Sequence, residues 1–252
     1  MTQKSLKHTL VIEMLEIKQI HSGYGNFQVL FGADIKIEKG EIVAMIGPNG
    51  AGKSTVLRTI FGFLKPIKGS ITFQGKDITN LNSINILKEG ISYVLQRHSI
   101  FPTMTVKENL EMGGFLINDE EEINRKIQAL SEMFPFFKER YNQPTSKLSG
   151  GQRRMVEIAR GLMLDPKLLM LDEPTLGLAP KIQKLIFNKI REINKEHGLS
   201  FLIVEQNARL ALEHSHRAYV LENGKTIMEG SGTEILHDPK VVKAYLGGRE
   251  KS

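Results

Sequence analysis

The stretch Gly47-Pro48-Asn49-Gly50-Ala51-Gly52-Lys53-Ser54 constrains this chain most: it matches GxxxxGK(S/T), follows the apolar run Glu41 to Ile46, and opens a helical run from Lys53 to Phe63. Strand, glycine-rich turn and helix in that order build a cradle for phosphate. The glycines let the backbone curl until successive N–H groups point inward, and the helix N-terminus adds its positive end. Lys53 sets a point charge near the β and γ phosphates of a nucleotide, and Ser54 offers a hydroxyl to Mg²⁺. Gly47, Pro48, Asn49, Gly50, Ala51, Gly52, Lys53, Ser54 and Thr55 are therefore candidate nucleotide-binding residues. Lys53 is also a candidate in catalysis and Ser54 a candidate metal ligand.

A cradle alone binds phosphate without orienting water, so hydrolysis needs a second constellation. Leu168-Leu169-Met170-Leu171-Asp172-Glu173 supplies it, because four apolar residues bury a strand and deliver two carboxylates at its C-terminal end, where open α/β sheets bind ligands. Asp172 is the candidate to hold Mg²⁺ through water. Glu173, one residue past the strand, is the candidate to polarise the attacking water.

Short apolar runs alternate with longer helical segments, the pattern of an α/β domain around a largely parallel sheet. Strands are expected at Leu15 to Ile20, Glu41 to Ile46, Ile91 to Leu95, Leu168 to Leu171 and Ser200 to Val204. Lys181 to His197 puts Ile182, Leu185, Ile186, Ile190 and Ile193 on one helical stripe, with Pro180 in the first turn. Two regions depart from the alternation. From Phe101 to Gln143 the chain reads as helix only, with a capping box at Thr105 and Glu108 and a shared face of Ile123, Ile127, Leu130 and Phe134. Near the end, Ala218 to Leu221 and Thr226 to Met228 flank Asn223-Gly224, a hairpin signal.

Leu148-Ser149-Gly150-Gly151-Gln152 precedes the carboxylate pair by about twenty residues and resembles the signature of ABC ATPases. Physically, Ser149 can cap a helix whose N-terminal amides, uncovered by Gly150 and Gly151, form an anion site. The resemblance implies an α/β fold: a phosphate-loop NTPase (RecA-like) core, an antiparallel β subdomain and an inserted α-helical subdomain at about 97–160. Residues 1–13 are expected to be an N-terminal tail, and 14–252 the ABC ATPase domain.

The same resemblance makes ATP and Mg²⁺ the expected ligands. It implies that Tyr24 stacks on adenine and that Gln96 contacts the metal and links that site to the helical lobe and a transmembrane partner. It also implies that Ser149, Gly150, Gly151 and Gln152 cap nucleotide held by another subunit, in a head-to-tail homo- or heterodimer. The expected function is an ATPase subunit on the cytoplasmic face of the membrane, attached through separate permease subunits and served indirectly by a periplasmic or extracellular binding protein. Gln206 stands where the family commonly has a γ-phosphate-contacting histidine, and Ala179 where it usually has aspartate. Leu-Gly-Leu-Ala-Pro with Val-Glu-Gln-Asn, and the ending Ala244 to Gly248, resemble branched-chain amino acid importers. A urea or amide importer, a lipopolysaccharide-type exporter and a soluble non-transport ABC ATPase are the alternatives.

Composition bounds these readings. Lys plus Arg 34 less Asp plus Glu 28 gives +6, which favours an anionic partner, and the absence of cysteine excludes disulfides and thiol catalysis. No apolar run reaches the roughly 18 residues of a membrane span, and the first thirteen residues lack a signal-peptide core, so a cytoplasmic location is expected. No nucleic-acid partner is expected, because basic residues are interspersed with acids and Arg153-Arg154 read as a solvated helix face.

Overall fold

The computed structural model describes residues 13–96 and 99–246. Residues 1–12 of the expected tail and the Gly247-Gly248 ending lie outside them, whereas Glu13, expected to close that tail, opens the first strand and pairs with Glu38. In chain order the elements are β1 (Glu13–Tyr24), β2 (Phe27–Glu38), β3 (Ile42–Ile46), α1 (Lys53–Ile60), β4 (Lys68–Phe73), β5 (Lys76–Asp77), α2 (Ser83–Glu89), β6 (Ile91–Val94), α3 (Val106–Gly113) and α4 (Glu120–Met133). There follow α5 (Phe136–Arg140), α6 (Gly150–Leu162), β7 (Leu168–Asp172), α7 (Pro180–His197), β8 (Ser200–Val204), α8 (Ala208–Glu213), β9 (Arg217–Glu222), β10 (Lys225–Ser231), α9 (Gly232–His237) and α10 (Pro239–Tyr245).

The central sheet runs β10-β9-β3-β8-β7-β6, parallel except for the β10-β9 hairpin. β3, β7 and β8 are buried at every residue, which explains why they read as unbroken apolar runs rather than alternations. Register brings their ends together. Met45 pairs with Val204 and Val204 with Asp172, so the turn after β3, the carboxylates after β7 and the loop after β8 emerge at one edge.

A second, antiparallel sheet runs β2-β1-β4-β5. Only part of β1 was expected from sequence. β1 carries a bulge where Gln19 takes φ 48°, which interrupts its alternation, and β2 contains Gly32 and Ala33, residues with weak strand preference. The helix expected to reach Phe63 ends at Ile60, where Phe61 turns out and packs edge-on against Phe63 and Tyr93.

The helical lobe follows its caps. Thr105 and Glu108 form a reciprocal capping box on α3, and Asp119 caps α4. Ile127, Leu130 and Phe134 are buried along the expected face, and Phe134 stacks on Phe137 with centroids 5.1 Å apart. These side chains join one apolar core with β7, α6 and α7, so the lobe is packed onto the sheet domain.

Asn223 and Gly224 both have positive φ, 49° and 74°, as a two-residue type I′ turn requires. The turn is also a strut. Phe31 N–H donates to the Gly224 carbonyl (2.8 Å) and Gly224 N–H donates to the Ala51 carbonyl (2.9 Å), tying β2 to the cradle. A Cβ on Gly224 would lie 2.0 Å from the Val29 carbonyl oxygen, whereas at Gly25 (φ 56°) it would meet nothing within 4 Å. Gly224→Ala is expected to cost about 2–3 kcal/mol and Gly25→Ala about 1 kcal/mol or less. Thermal denaturation of the two variants checks this; equal losses would contradict it.

Candidate functional site

The cradle sits between the end of β3 and the start of α1, whose N-cap is Gly52. Lys53 is buried at its base and its Nζ donates to the carbonyls of Gly47 (2.8 Å) and Pro48 (3.0 Å). Burial pushes the ammonium below the usual lysine range, while Glu173 and Asp172 pull it back up. Those are the two carboxylates delivered by β7.

Asp172 and Glu173 are 3% and 8% exposed, and each is held by named donors. Ser54 Oγ donates to Asp172 Oδ1 (2.9 Å) and the Tyr93 hydroxyl donates to Asp172 Oδ2 (2.9 Å). Burial, reinforced by the neighbouring Asp172 carboxylate, pushes the Tyr93 phenol well above its ordinary range, so Tyr93 stays a donor. Gln96 Nε2 donates to Glu173 Oε2 (2.6 Å). Glu173 itself has φ 47°, a left-handed conformation costing a non-glycine residue about 1 kcal/mol, held here by its N–H donating to the Val204 carbonyl (2.8 Å). Ser54, Asp172, Gln96 and Glu173 thus converge as a cluster of oxygen donors, and a hydroxyl with one or two carboxylates is the protein share of a Mg²⁺ sphere that phosphates complete.

Above this cluster opens a cavity of about 760 Å³, lined by Asn49, Gly50, Gly52, Lys53, Ser54, Thr55, Gln96, Glu173 and Gln206, and walled by Phe27, Gln28, Val29, Phe31, Leu176 and Asn223. That is the size of a small-molecule site. Three groups of sequence-expected residues fall differently. Gly47, Pro48 and Ala51 shape the turn without lining the cavity. Tyr24 does not line it either: its hydroxyl accepts from Arg58 Nη1 (3.2 Å), and the Arg58 guanidinium lies 5.9 Å from its ring centroid. Ser149, Gly150, Gly151 and Gln152 stand apart as the start of α6, where Ser149 and Gln152 cap each other reciprocally.

Arg154 corrects an expectation. It is 9% exposed rather than solvated, and its guanidinium donates to the carbonyls of Leu95 (3.3 Å) and Gln96 (3.1 Å) while pairing with Glu157 (2.6 Å). It therefore fixes the backbone from which Gln96 reaches Glu173. One turn of α6 carries Arg153 outward and Arg154 inward, a difference the paired basic letters conceal. Tyr93 and the phenylalanine wall were also missed, since a strand tyrosine and loop phenylalanines carry no spacing signal for phosphate chemistry.

A glycine cradle at a helix start, facing paired carboxylates at the end of a buried parallel strand, defines a protein of the phosphate-loop NTPase class. Residues 30–176 match the family model described as ABC transporter, and residues 225–251 match that described as Branched-chain amino acid ATP-binding cassette transporter. The chain belongs to the ABC transporter family of ATP-binding domains. It is 44% identical over 235 residues to the high-affinity branched-chain amino acid transport ATP-binding protein BraG of Pseudomonas aeruginosa, covering 93% of this chain and 100% of that one. Its fold matches the ADP conformation of MJ1267, an ATP-binding cassette of an ABC transporter, with TM-score 0.84 and 35% identity over 94% of this chain and 99% of that one. It also matches a dimeric structure of the cassette MJ0796 in a post-hydrolysis state bound to ADP and Pi, with TM-score 0.75 and 27% identity over 86% and 98%.

Proposed function

We propose that this chain is the ATP-hydrolysing subunit of an importer for branched-chain amino acids. The observation that carries the ATPase reading is the convergence of Lys53, Ser54, Asp172, Gln96, Glu173 and Gln206 at one sheet edge. Likeness to BraG and the C-terminal family match support the substrate class.

Triphosphate enters the cradle with its β and γ phosphates against the backbone N–H groups of Gly50, Gly52, Lys53, Ser54 and Thr55, all of which line the cavity. Lys53 exchanges its two carbonyl acceptors for phosphate oxygens, a charge-assisted and therefore stronger bond. Ser54 and Asp172, with Gln96 at the edge, would hold Mg²⁺, which when bound neutralises phosphate charge. Glu173 accepts a proton from water in line with the γ-phosphate. Gln206 donates an amide hydrogen bond to the γ-phosphate without carrying a charge. Ser149 to Gln152 do not line the cradle of their own chain, which supports a head-to-tail pair: the capped start of α6 from a second cassette covers the open side. The match to the dimeric MJ0796 cassette supports the same pairing.

Among the described residues no helix is long and apolar enough to cross a membrane, and we assign the membrane-crossing path to separate permease subunits. Exposed Phe63, Phe101, Met112 and Phe115 gather beside a groove bounded by Tyr93, Glu157 and Arg160, at the junction of sheet domain and helical lobe. This apolar face adjoins the Gln96 segment, and we assign it to permease docking on the cytoplasmic side of the membrane.

Reconstitution into liposomes with co-purified permease subunits and a binding protein tests the proposal. ATP-dependent leucine uptake is the expected result. Robust ATP turnover without uptake of leucine, isoleucine or valine would overturn the substrate assignment.

A further inference from the structure

Glu205 is 2% exposed and has no part in the steps above. It follows β8 directly and lies between the Gln206 loop and the loop after Glu173. Its Oε1 accepts from Thr175 N–H (2.9 Å) and Thr175 Oγ–H (2.7 Å). Its Oε2 accepts from Gln206 N–H (3.1 Å) and Asn207 N–H (3.4 Å). One oxygen serves each loop. The three backbone N–H groups can only donate and the Thr175 hydroxyl donates here too, so the ionised carboxylate fits all four contacts, whereas a protonated carboxyl could aim its O–H only at the Thr175 hydroxyl and would give up an acceptor position. Burial pushes the carboxyl up and the donors from Thr175, Gln206 and Asn207 oppose it.

A buried carboxylate held by neutral donors is a costly way to fill space. A second bridge runs alongside it. Asn207 Nδ2 donates to Gln183 Oε1 (3.1 Å), and Gln183 Nε2 donates to the Leu178 carbonyl (3.0 Å). The two loops are therefore cross-tied twice, directly behind the cavity-lining Gln206 and Leu176.

We propose that Glu205 is a positioning residue that clamps the Gln206 loop to the loop following Glu173, so that the two groups facing the γ-phosphate keep a fixed separation and the loops move as one. This rests on the nucleotide-site reading above. Glu205→Gln keeps the volume but gives one loop an NH₂ where it needs an acceptor. Thr175→Val removes only the hydroxyl bond.

Steady-state ATPase kinetics on Glu205→Gln, Thr175→Val, Gln206→Ala and the pairwise combinations with Gln206→Ala test it. Glu205→Gln is expected to lower kcat roughly tenfold with KM within about twofold, and Thr175→Val to do the same more weakly. Added to Gln206→Ala, neither change should lower kcat further, because the clamp acts through Gln206. Losses that multiply, or a kcat unchanged in both variants, would overturn the proposal. Should Glu205→Gln melt before assay, the Thr175→Val cycle decides on the same criterion. Failure of the underlying nucleotide reading looks different: wild-type turnover would be indifferent to Lys53→Ala.

Discussion

Purified Glu173→Gln protein is expected to bind ATP as tightly as the wild type and to turn it over about 10³-fold more slowly. The separation follows from geometry. Glutamine has the same shape, its carbonyl oxygen can take the 2.6 Å bond from Gln96, and the backbone at φ 47° suits glutamine no worse than glutamate. What disappears is a base able to accept the proton of attacking water. Lys53 meanwhile keeps Asp172 beside it, and loss of the Glu173 charge removes a repulsion of phosphate, so nothing in the cradle weakens binding. Fluorescent-nucleotide titration and single-turnover ADP formation measure the two quantities separately. Unchanged turnover would remove Glu173 from catalysis, and a parallel loss of binding would make its role structural.

Lys53→Ala is expected to act at the opposite step, weakening nucleotide binding roughly 100-fold, the equivalent of losing about 3 kcal/mol of charge-assisted hydrogen bonding. The effect has two parts. The bound phosphates lose their cation, and Asp172 and Glu173, both buried, lose the nearby positive charge that offsets their own repulsion of phosphate. Lys53→Arg should rescue little, because the Nζ fits between the Gly47 and Pro48 carbonyls at 2.8 and 3.0 Å and a planar guanidinium is bulkier. Titration with a fluorescent ATP analogue checks both variants; wild-type affinity in Lys53→Ala would contradict the cradle assignment.

The parts of this site that sequence reveals are those whose chemistry dictates spacing. A phosphate cradle needs glycines and a lysine at fixed offsets from a strand, and a strand buried on both faces needs an unbroken apolar run, so Gly47 to Ser54 and Leu168 to Glu173 stand out unaided. Capping boxes are similarly local, and Thr105, Glu108 and Ser149 behave as read. Parts fixed by long-range contact were invisible. Arg154 reaches the Gln96 backbone across 58 positions and Tyr93 reaches Asp172 across 79, distances at which no periodicity survives. The antiparallel sheet was only partly legible because its strands are broken by the Gln19 bulge and by Gly32. At Tyr24 resemblance and packing draw on different residues: its ring lies beside Arg58, while Phe27 and Phe31 line the cavity.

That a nucleotide is shared between the cradle of one cassette and the capped helix of another is tested most directly by complementation. Lys53→Ala protein has a dead cradle and an intact α6 start; Ser149→Arg protein has the reverse. Each alone should be nearly inactive. Mixed in equal amounts, they can pair so that one intact cradle faces one intact Ser149, and ATP turnover should rise well above the sum of the separate rates. A mixture no more active than its components would contradict a composite site.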